Sequence, residues 1–504
     1  MPLKDYDKPA EIALIKACRM GGSLRISDVR PTEGTARNTI RAGLIRELLL
    51  GTEDCRPPTE GLHIRGAWIV EALNLMGEAV PVPLGLRNCA LQRDVNLQNC
   101  TLPGLYLTDT QLPAMLAQGL RCSSSLHLTD KFEAAGPVAL NGAKIVGQLV
   151  CTDGKFLAED VALRCNSITV GADMFLSDGF EARGEVKLIR AEIAGNLAMR
   201  GAKLAKGIVA SGMRVRAGFN WRDVQGNGIA VDLMDAQVGT LYDPPGSWDP
   251  VKELHLSSFR YDRIESDMDV QERLNWLAKH DATVSRFTPA PYVQLANVLR
   301  QQGFAGEAAQ VLIRREDKQR AAEWDAAVTG MDGTFQRELI ASAHQYRPLL
   351  SLPFKWMFGY GHQPARVLPW IAIIWAVTFC FAEQTHRRGQ FAPTSAVVLN
   401  SPEWLRSFPS TPLPADSPLW RAQLDAWVKT EPGRDYESFS AWLYALDLFI
   451  PLDALGQEKN WAPSASRGAW GEWGHRLRWL VQMAGWVITA MGAAVVTGLI
   501  GRRD

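Results

Sequence analysis

The chain has 504 residues, 54 of them basic and 54 acidic, and 47% are apolar. That length accommodates three or four domains, and the charge balance excludes a global electrostatic pull toward nucleic acid or an anionic surface. Twelve of the 17 tryptophans lie beyond residue 350, and tryptophan gathers where a membrane meets water because its ring is apolar and its N–H is not.

The start, "MPLKDYDKPAEIALIKACRMGG", has no continuous apolar run behind a basic cap, so no secretory signal is expected. "NTIRAGLIRELLLG" has amphipathic helical spacing and stops at Gly51. Residues 1–58 are therefore expected to form a helical cap over whatever follows.

The middle of the chain is repetitive. Lines such as "VGQLVCTDGKF", "EARGEVKLIRAEI" and "AGNLAMRGAKL" end at Ile145, Phe156, Ile168, Phe180, Ile193, Leu204 and Val215, a period of 11 to 13 residues. Apolar residues alternate within the lines, which predicts short strands with one buried face. Small residues near the line ends, among them Gly142, Ala143, Ala191, Ala202 and Gly212, suit tight corners. Two lines, about 23 residues, make one coil of a β-solenoid whose inner face is buried only by stacking on its neighbours. Residues 59–247 are assigned to this solenoid, roughly eight coils and on the order of 40 Å long. Between residues 61 and 241 there are 17 basic and 17 acidic side chains, a surface with no declared partner.

Eight cysteines occur without CxxC pairs, seven of them before residue 166. Cys89 and Cys100 stand in matching contexts, "RNCAL" and "QNCTL", which fits a repeated small inward residue. Reduced thiols in a cytoplasmic compartment are expected, with no metal site and no cofactor. Asp223, Asp232 and Asp235 in "WRDVQGNGIAVDLMD" are the carboxylates a solenoid hydrolase would use as acid and base. The competing expectation is that they cap the last coils and solvate a turn.

After "LYDPPGSWDP" the pattern becomes helical, and residues 252–346 are expected to form a helical domain. Within it "YVQLANVLRQQGFAGEAAQVLI" spaces its apolar residues as two helices around Gly303, like one tetratricopeptide-type hairpin packed on the end of the rod.

Residues 347–504 are expected to form a membrane module. It comprises spans at 367–382 and 479–501, 16 and 23 residues without charge, and an amphipathic helix at 438–450 between them. Two crossings place both termini on one side, and Arg502 with Arg503 makes that side the cytoplasm, although "HRRG" after the first span argues the other way. Ala490, Ala494 and Gly498 recur every four residues and would let another helix, or a second copy of the chain, approach closely. Glu437, Ser440, Tyr444 and Asp447 share a polar stripe, and with Asp453 they are candidate pore-lining groups for an oligomeric cation channel. The alternative is an interfacial helix with that stripe toward water.

The combination "IRAGLIRELLLG", "PYVQLANVLRQQG", "EAAQVLI", "GYGHQP", "LYALDLFIPLDALGQEKNW" and "GLIGRRD" resembles a bacterial pentapeptide-repeat-like membrane protein family usually labelled "membrane-associated oxidoreductase". The resemblance implies an architecture, a right-handed parallel β-helix ahead of a multi-pass membrane module, and supplies no catalytic residue to carry over. The leading expectation is a non-enzymatic protein in a bacterial cytoplasmic membrane, whose rod binds a protein partner and not nucleic acid. A channel gated through the rod is the first alternative; an oxidoreductase or a solenoid hydrolase is the second.

Overall fold

A computed structural model describes residues 5–51, 55, 58–329, 355–408, 413–450 and 455–497. They fall into two compact units, Met1–Ala326 and Ala327–Asp504.

The first unit is a parallel β-solenoid. Leu84 pairs with Leu105, Leu105 with Leu126, and the column continues through Leu149, Met174, Leu197 and Phe219, so a coil takes 21 to 25 residues. Every coil has four sides; one coil runs through Leu84–Arg87, Ala90–Leu91, Val95–Asn96 and Thr101–Leu102, here called sides one to four. Nine strands stack on side three, from Leu73–Asn74 to Val251–His255.

The alternation seen in the sequence is the alternation of burial. Leu105 and Leu107 point into the coil, and Tyr106 between them is half-exposed. Phe132, Phe156 and Phe180 stack inside successive coils with ring centroids 5.6 and 5.1 Å apart. Burying each such side chain is worth about 2–3 kcal/mol before entropy is subtracted. Cys89 and Cys100 are fully buried small inward residues, and burial pushes both thiols up to about 11.

Corners explain the recurrent Gly, Asn, Asp and Ser. Gly77, Asn99, Gly119, Gly142, Ser167, Arg190, Gly212, Asp235 and Ser258 all have φ between 54° and 73° and occupy the same corner in successive coils. All but Ser258, in the last coil, turn their N–H to the coil above: Asn99 donates to the Gln118 carbonyl at 2.8 Å, Gly119 to Asn141 at 2.9 Å and Gly212 to Met234 at 2.7 Å. Left-handed backbone is cheapest for glycine, and short polar residues tolerate it best among the others.

The solenoid is longer than the sequence lines. It starts inside the expected helical cap, because Leu24–Arg25 pairs with Ile64 and Arg65, and Thr39–Arg41 pairs with Trp68–Val70. Helices α1 (Pro9–Arg19) and α2 (Ala42–Leu50) then close this end. At the other end "LYDPPGSWDP" is a loop within a coil and not a domain break: Val251–His255, with one register shift, and Arg260–Glu265 still pair in parallel with the preceding coil.

An open last coil would present unpaired strand edges. Helices α3 (Val270–Thr283), α4 (Ala290–Gln301) and α5 (Ala305–Thr329) follow, and α3 and α4 supply the missing partners. Thr283 Oγ1 accepts the Leu254 N–H at 3.1 Å, Lys279 Nζ donates to Trp248 and Val251 carbonyls at 2.7 Å, and Gln294 Nε2 donates to the Tyr261 carbonyl at 2.7 Å. Gln302 donates to the Ile264 carbonyl at 2.8 Å. Of the two helices around Gly303, α4 thus packs on the end of the rod.

In the second unit, α6 (Val367–Arg387) and α8 (Ala469–Val496) flank a small folded segment, with α7 (Ala441–Phe449) packed between them. Phe391–Pro393 pairs antiparallel with Trp461–Pro463, which brings the end of α6 beside the start of α8. Among the described residues one helix, Pro364–Arg387, is long and apolar enough to cross a membrane, judged by its length and composition.

Candidate functional site

The three aspartates proposed as a hydrolytic set serve the backbone of the solenoid. Asp235 is a member of the left-handed corner column, exposed, with its N–H on the Ser257 carbonyl at 2.9 Å. Asp223 also has a positive φ, 52°, in the turn between sides one and two, two corners away from Asp235 along the chain. Asp232 ends its strand: Oδ2 accepts from Ser211 Oγ at 2.7 Å and Oδ1 from the Met234 N–H at 2.9 Å. Asp223 and Asp235 thus sit in turns and Asp232 at a strand end. Among the described residues no group of three or more His, Cys, Asp or Glu side chains is placed to hold a metal ion.

The polar stripe of the 437–456 segment is divided: Glu437 is exposed and Ser440 half-buried, while its later members point inward. Tyr444 and Asp447 are each 2% exposed. Asp447 accepts two backbone N–H groups from the chain that folds back over it, Leu455 at 3.1 Å and Glu458 at 2.8 Å. Gln457 completes the clasp: its Oε1 accepts the Ser440 N–H at 3.0 Å, and its Nε2 donates to Glu437 Oε1 at 3.2 Å. The Tyr444 ring stands edge-on to Phe391, centroids 5.1 Å apart, and its hydroxyl has no hydrogen-bond partner among the described residues. So Glu437, Ser440 and Asp447 are brought together by a loop closure, with Asp447 in a structural role. Asp453 lies outside the described residues. On α8, Ala490 is exposed and Ala494 half-buried, and Gly498 also lies outside the described residues.

A cluster that sequence patterns missed holds the segment between α6 and α8 together. Arg467 is buried, with no carboxylate partner among the described residues. Its Nη1 donates to the Gly389 and Phe391 carbonyls at 3.1 and 2.8 Å, and its guanidinium lies 5.6, 4.8 and 5.0 Å from the rings of Trp404, Phe408 and Trp420. Burial pushes the guanidinium down to about 10, and the aromatic faces partly replace the lost hydration. Nothing periodic marks Arg467 in "PSASRGAW"; the aromatic richness of 404–420 was the one available signal.

The outer faces of the solenoid are the remaining candidate, and stacking sorts their chemistry. Side one stacks Tyr106, His127, Val150, Phe175 and Ala198, uncharged and half-exposed. Side two stacks Glu133, Lys155, Glu181 and Lys203, alternating in sign. Side four stacks Arg121, Lys144, Thr169, Glu192, Arg214, Gln237 and Arg260, with cations in excess. The neutral total therefore conceals a charged face.

No family model, no curated protein and no solved structure matches this chain.

Proposed function

We propose that the chain is a membrane-anchored binding or scaffold protein, in which a hairpin of α6 and α8 holds the second unit in a bilayer and the solenoid presents its faces to a protein partner in the cytoplasm. The observation that carries the anchor is an uncovered apolar band. Leu368, Ile373 and Val377 on α6, and Leu480, Met483 and Trp486 on α8, are each more than half exposed. A soluble monomer rarely leaves such a contiguous apolar surface uncovered. The 24-residue stretch Pro364–Arg387 is about 36 Å long at helical rise, sufficient for the hydrocarbon core. The second span at 479–501 and cytoplasmic termini belong to this reading; the side-by-side ends of α6 and α8 support it, because an antiparallel pair returns the chain to its starting side.

For the rod, the work assigned is binding: Asp223 and Asp235 sit in turns, while the strand side chains form continuous outward columns. Fractionation of cells expressing the full chain tests the anchor. The protein is expected in the membrane pellet after alkaline carbonate and in solution after detergent. Release by carbonate alone would end the reading of α6 as a span.

A further inference from the structure

We propose that side four of the solenoid, from Arg121 to Arg260, docks an acidic polypeptide segment laid along the axis of the rod. The inference rests on the reading of the rod as a binding element and adds the face and the class of partner.

Arg121, Lys144, Glu192, Arg214, Gln237 and Arg260 occupy one register position in successive strands, and all are exposed. From Arg121 to Arg260 there are six steps of about 4.8 Å, a strip on the order of 29 Å long. Glu192 lies 3.8 Å from Arg214 as a loose, solvent-exposed pair. Arg121, Lys144, Arg216 and Arg260 make no ion pair with any described residue. Side two, by contrast, alternates in sign, and Arg200 takes Asp178 at 2.8 Å.

The strip is also concave. A groove of about 590 Å³ lies over its later coils, lined by Thr169, Glu192, Arg214 and Arg260 of the strip and by Arg216 and Asp262 two residues further along their strands. Its floor is Gly171, Ala194 and Gly239. Two of those residues are held to glycine by the coil beneath. A Cβ on Gly171 would stand 2.2 Å from the Val146 carbonyl oxygen, and one on Gly239 would stand 2.4 Å from that of Ala217. The floor is therefore flat because the coils stack closely, and the long cationic side chains rise beside it.

Chemistry selects among anionic occupants. A bilayer is flat and would be met by exposed apolar or aromatic side chains, whereas the apolar residues under this groove, Val170, Ile193, Val215 and Val238, are buried. A single-stranded nucleic acid would need aromatic platforms for its bases, and Glu192 and Asp262 would oppose its phosphates. A polypeptide can place carboxylates on Arg214, Arg216 and Arg260 and donors on Glu192 and Asp262, with main-chain groups along the glycine floor.

The test uses the full chain in detergent and a fluorescent oligoglutamate peptide, followed by anisotropy at low and high salt. Arg214→Glu with Arg260→Glu is compared with Lys155→Glu with Lys203→Glu, the same charge change on side two; Arg214→Gln with Arg260→Gln is a milder form. All of these side chains are exposed, and circular dichroism verifies each fold. The side-four variants are expected to weaken binding about tenfold or more and the side-two variant to bind as the parent does. Equal losses on both sides, no binding by the parent, or tighter capture of a single-stranded oligonucleotide or of phosphatidylglycerol vesicles through the same arginines would each overturn the proposal. Membrane pelleting of the same variants is scored separately, so a failed anchor and a failed docking face give different results.

Discussion

Arg273 closes a two-pronged ion pair on Asp243, Nη1 to Oδ2 at 2.6 Å and Nη2 to Oδ1 at 2.7 Å, with the two side chains 3% and 0% exposed. Trp248 Nε1 adds a third donor to Asp243 Oδ2 at 2.7 Å. The pair joins the end of a solenoid strand to the first capping helix. Removing one partner leaves a buried charge uncompensated, which costs about 3–5 kcal/mol. Asp243→Asn or Arg273→Met is therefore expected to lower the midpoint of urea unfolding sharply, whereas Asp243→Leu with Arg273→Leu is expected to be less damaging than either. If the single replacements melt like the parent, the pair does not hold the cap.

The corner column makes a prediction about residue type. Asp235 has φ 56° and is exposed. Asp235→Gly is expected to leave stability within about 0.5 kcal/mol, and Asp235→Val to cost about 1–2 kcal/mol, because a β-branched residue resists left-handed backbone. A hydrolytic role would instead show as loss of turnover in both variants with no change in the denaturation curve.

Acid is expected to loosen the N-terminal end first. Burial alone would raise the Glu11 carboxyl, but the side-chain and backbone donors of Arg41, at 2.7 to 2.9 Å, outweigh it and hold the carboxyl below its ordinary 4.5. A carboxyl depressed in the folded state contributes stability that is complete above its unfolded value and lost as pH falls through its folded value. Hydrogen exchange across Pro9–Arg19 should therefore accelerate as pH drops below 4.5, after correction for intrinsic rates. Glu11→Gln should exchange faster at neutral pH and show a shallower pH dependence. Parallel curves for the two proteins would remove Glu11 as the sensor.

Thiol accessibility separates the two units. Cys18, Cys55, Cys89, Cys100, Cys122, Cys151 and Cys165 are buried, and Cys380 on α6 is exposed. In native membranes a charged maleimide is expected to label none of the eight, because lipid covers Cys380 and packing covers the rest. Denaturation in dodecyl sulfate should release all of them. Rapid labelling of Cys380 in intact membranes would place α6 in water.

Much of the rod was legible in the sequence. The line ends Ile145, Phe156, Ile168, Phe180, Ile193, Leu204 and Val215 are all buried, because a period of two and a coil of constant girth are local properties that each line repeats. The first coil was not legible. Its strands, Leu24–Arg25 and Thr39–Arg41, are two and three residues long and gain their meaning from partners at Ile64 and Trp68. The stripe of Glu437, Ser440, Tyr444 and Asp447 was legible as one helix face, but its orientation was not. Spacing says which residues share a face, and the return of Leu455 and Glu458 over Asp447 decided that the Asp447 end of it is buried.

What the sequence by itself determined is that this chain coils: alternation, line length and corner residue types are short-range, and each acts through the backbone of its own few residues. Which charge stands above which was decided only by the stacked structure. Arg121, Lys144, Arg214 and Arg260 are dispersed in a chain of zero net charge and become one strip because coils of 21 to 25 residues return the same position to the same side. The buried pairs, Asp243 with Arg273 thirty residues on, belong to the same class, since a charge enters the interior only where docking delivers its partner.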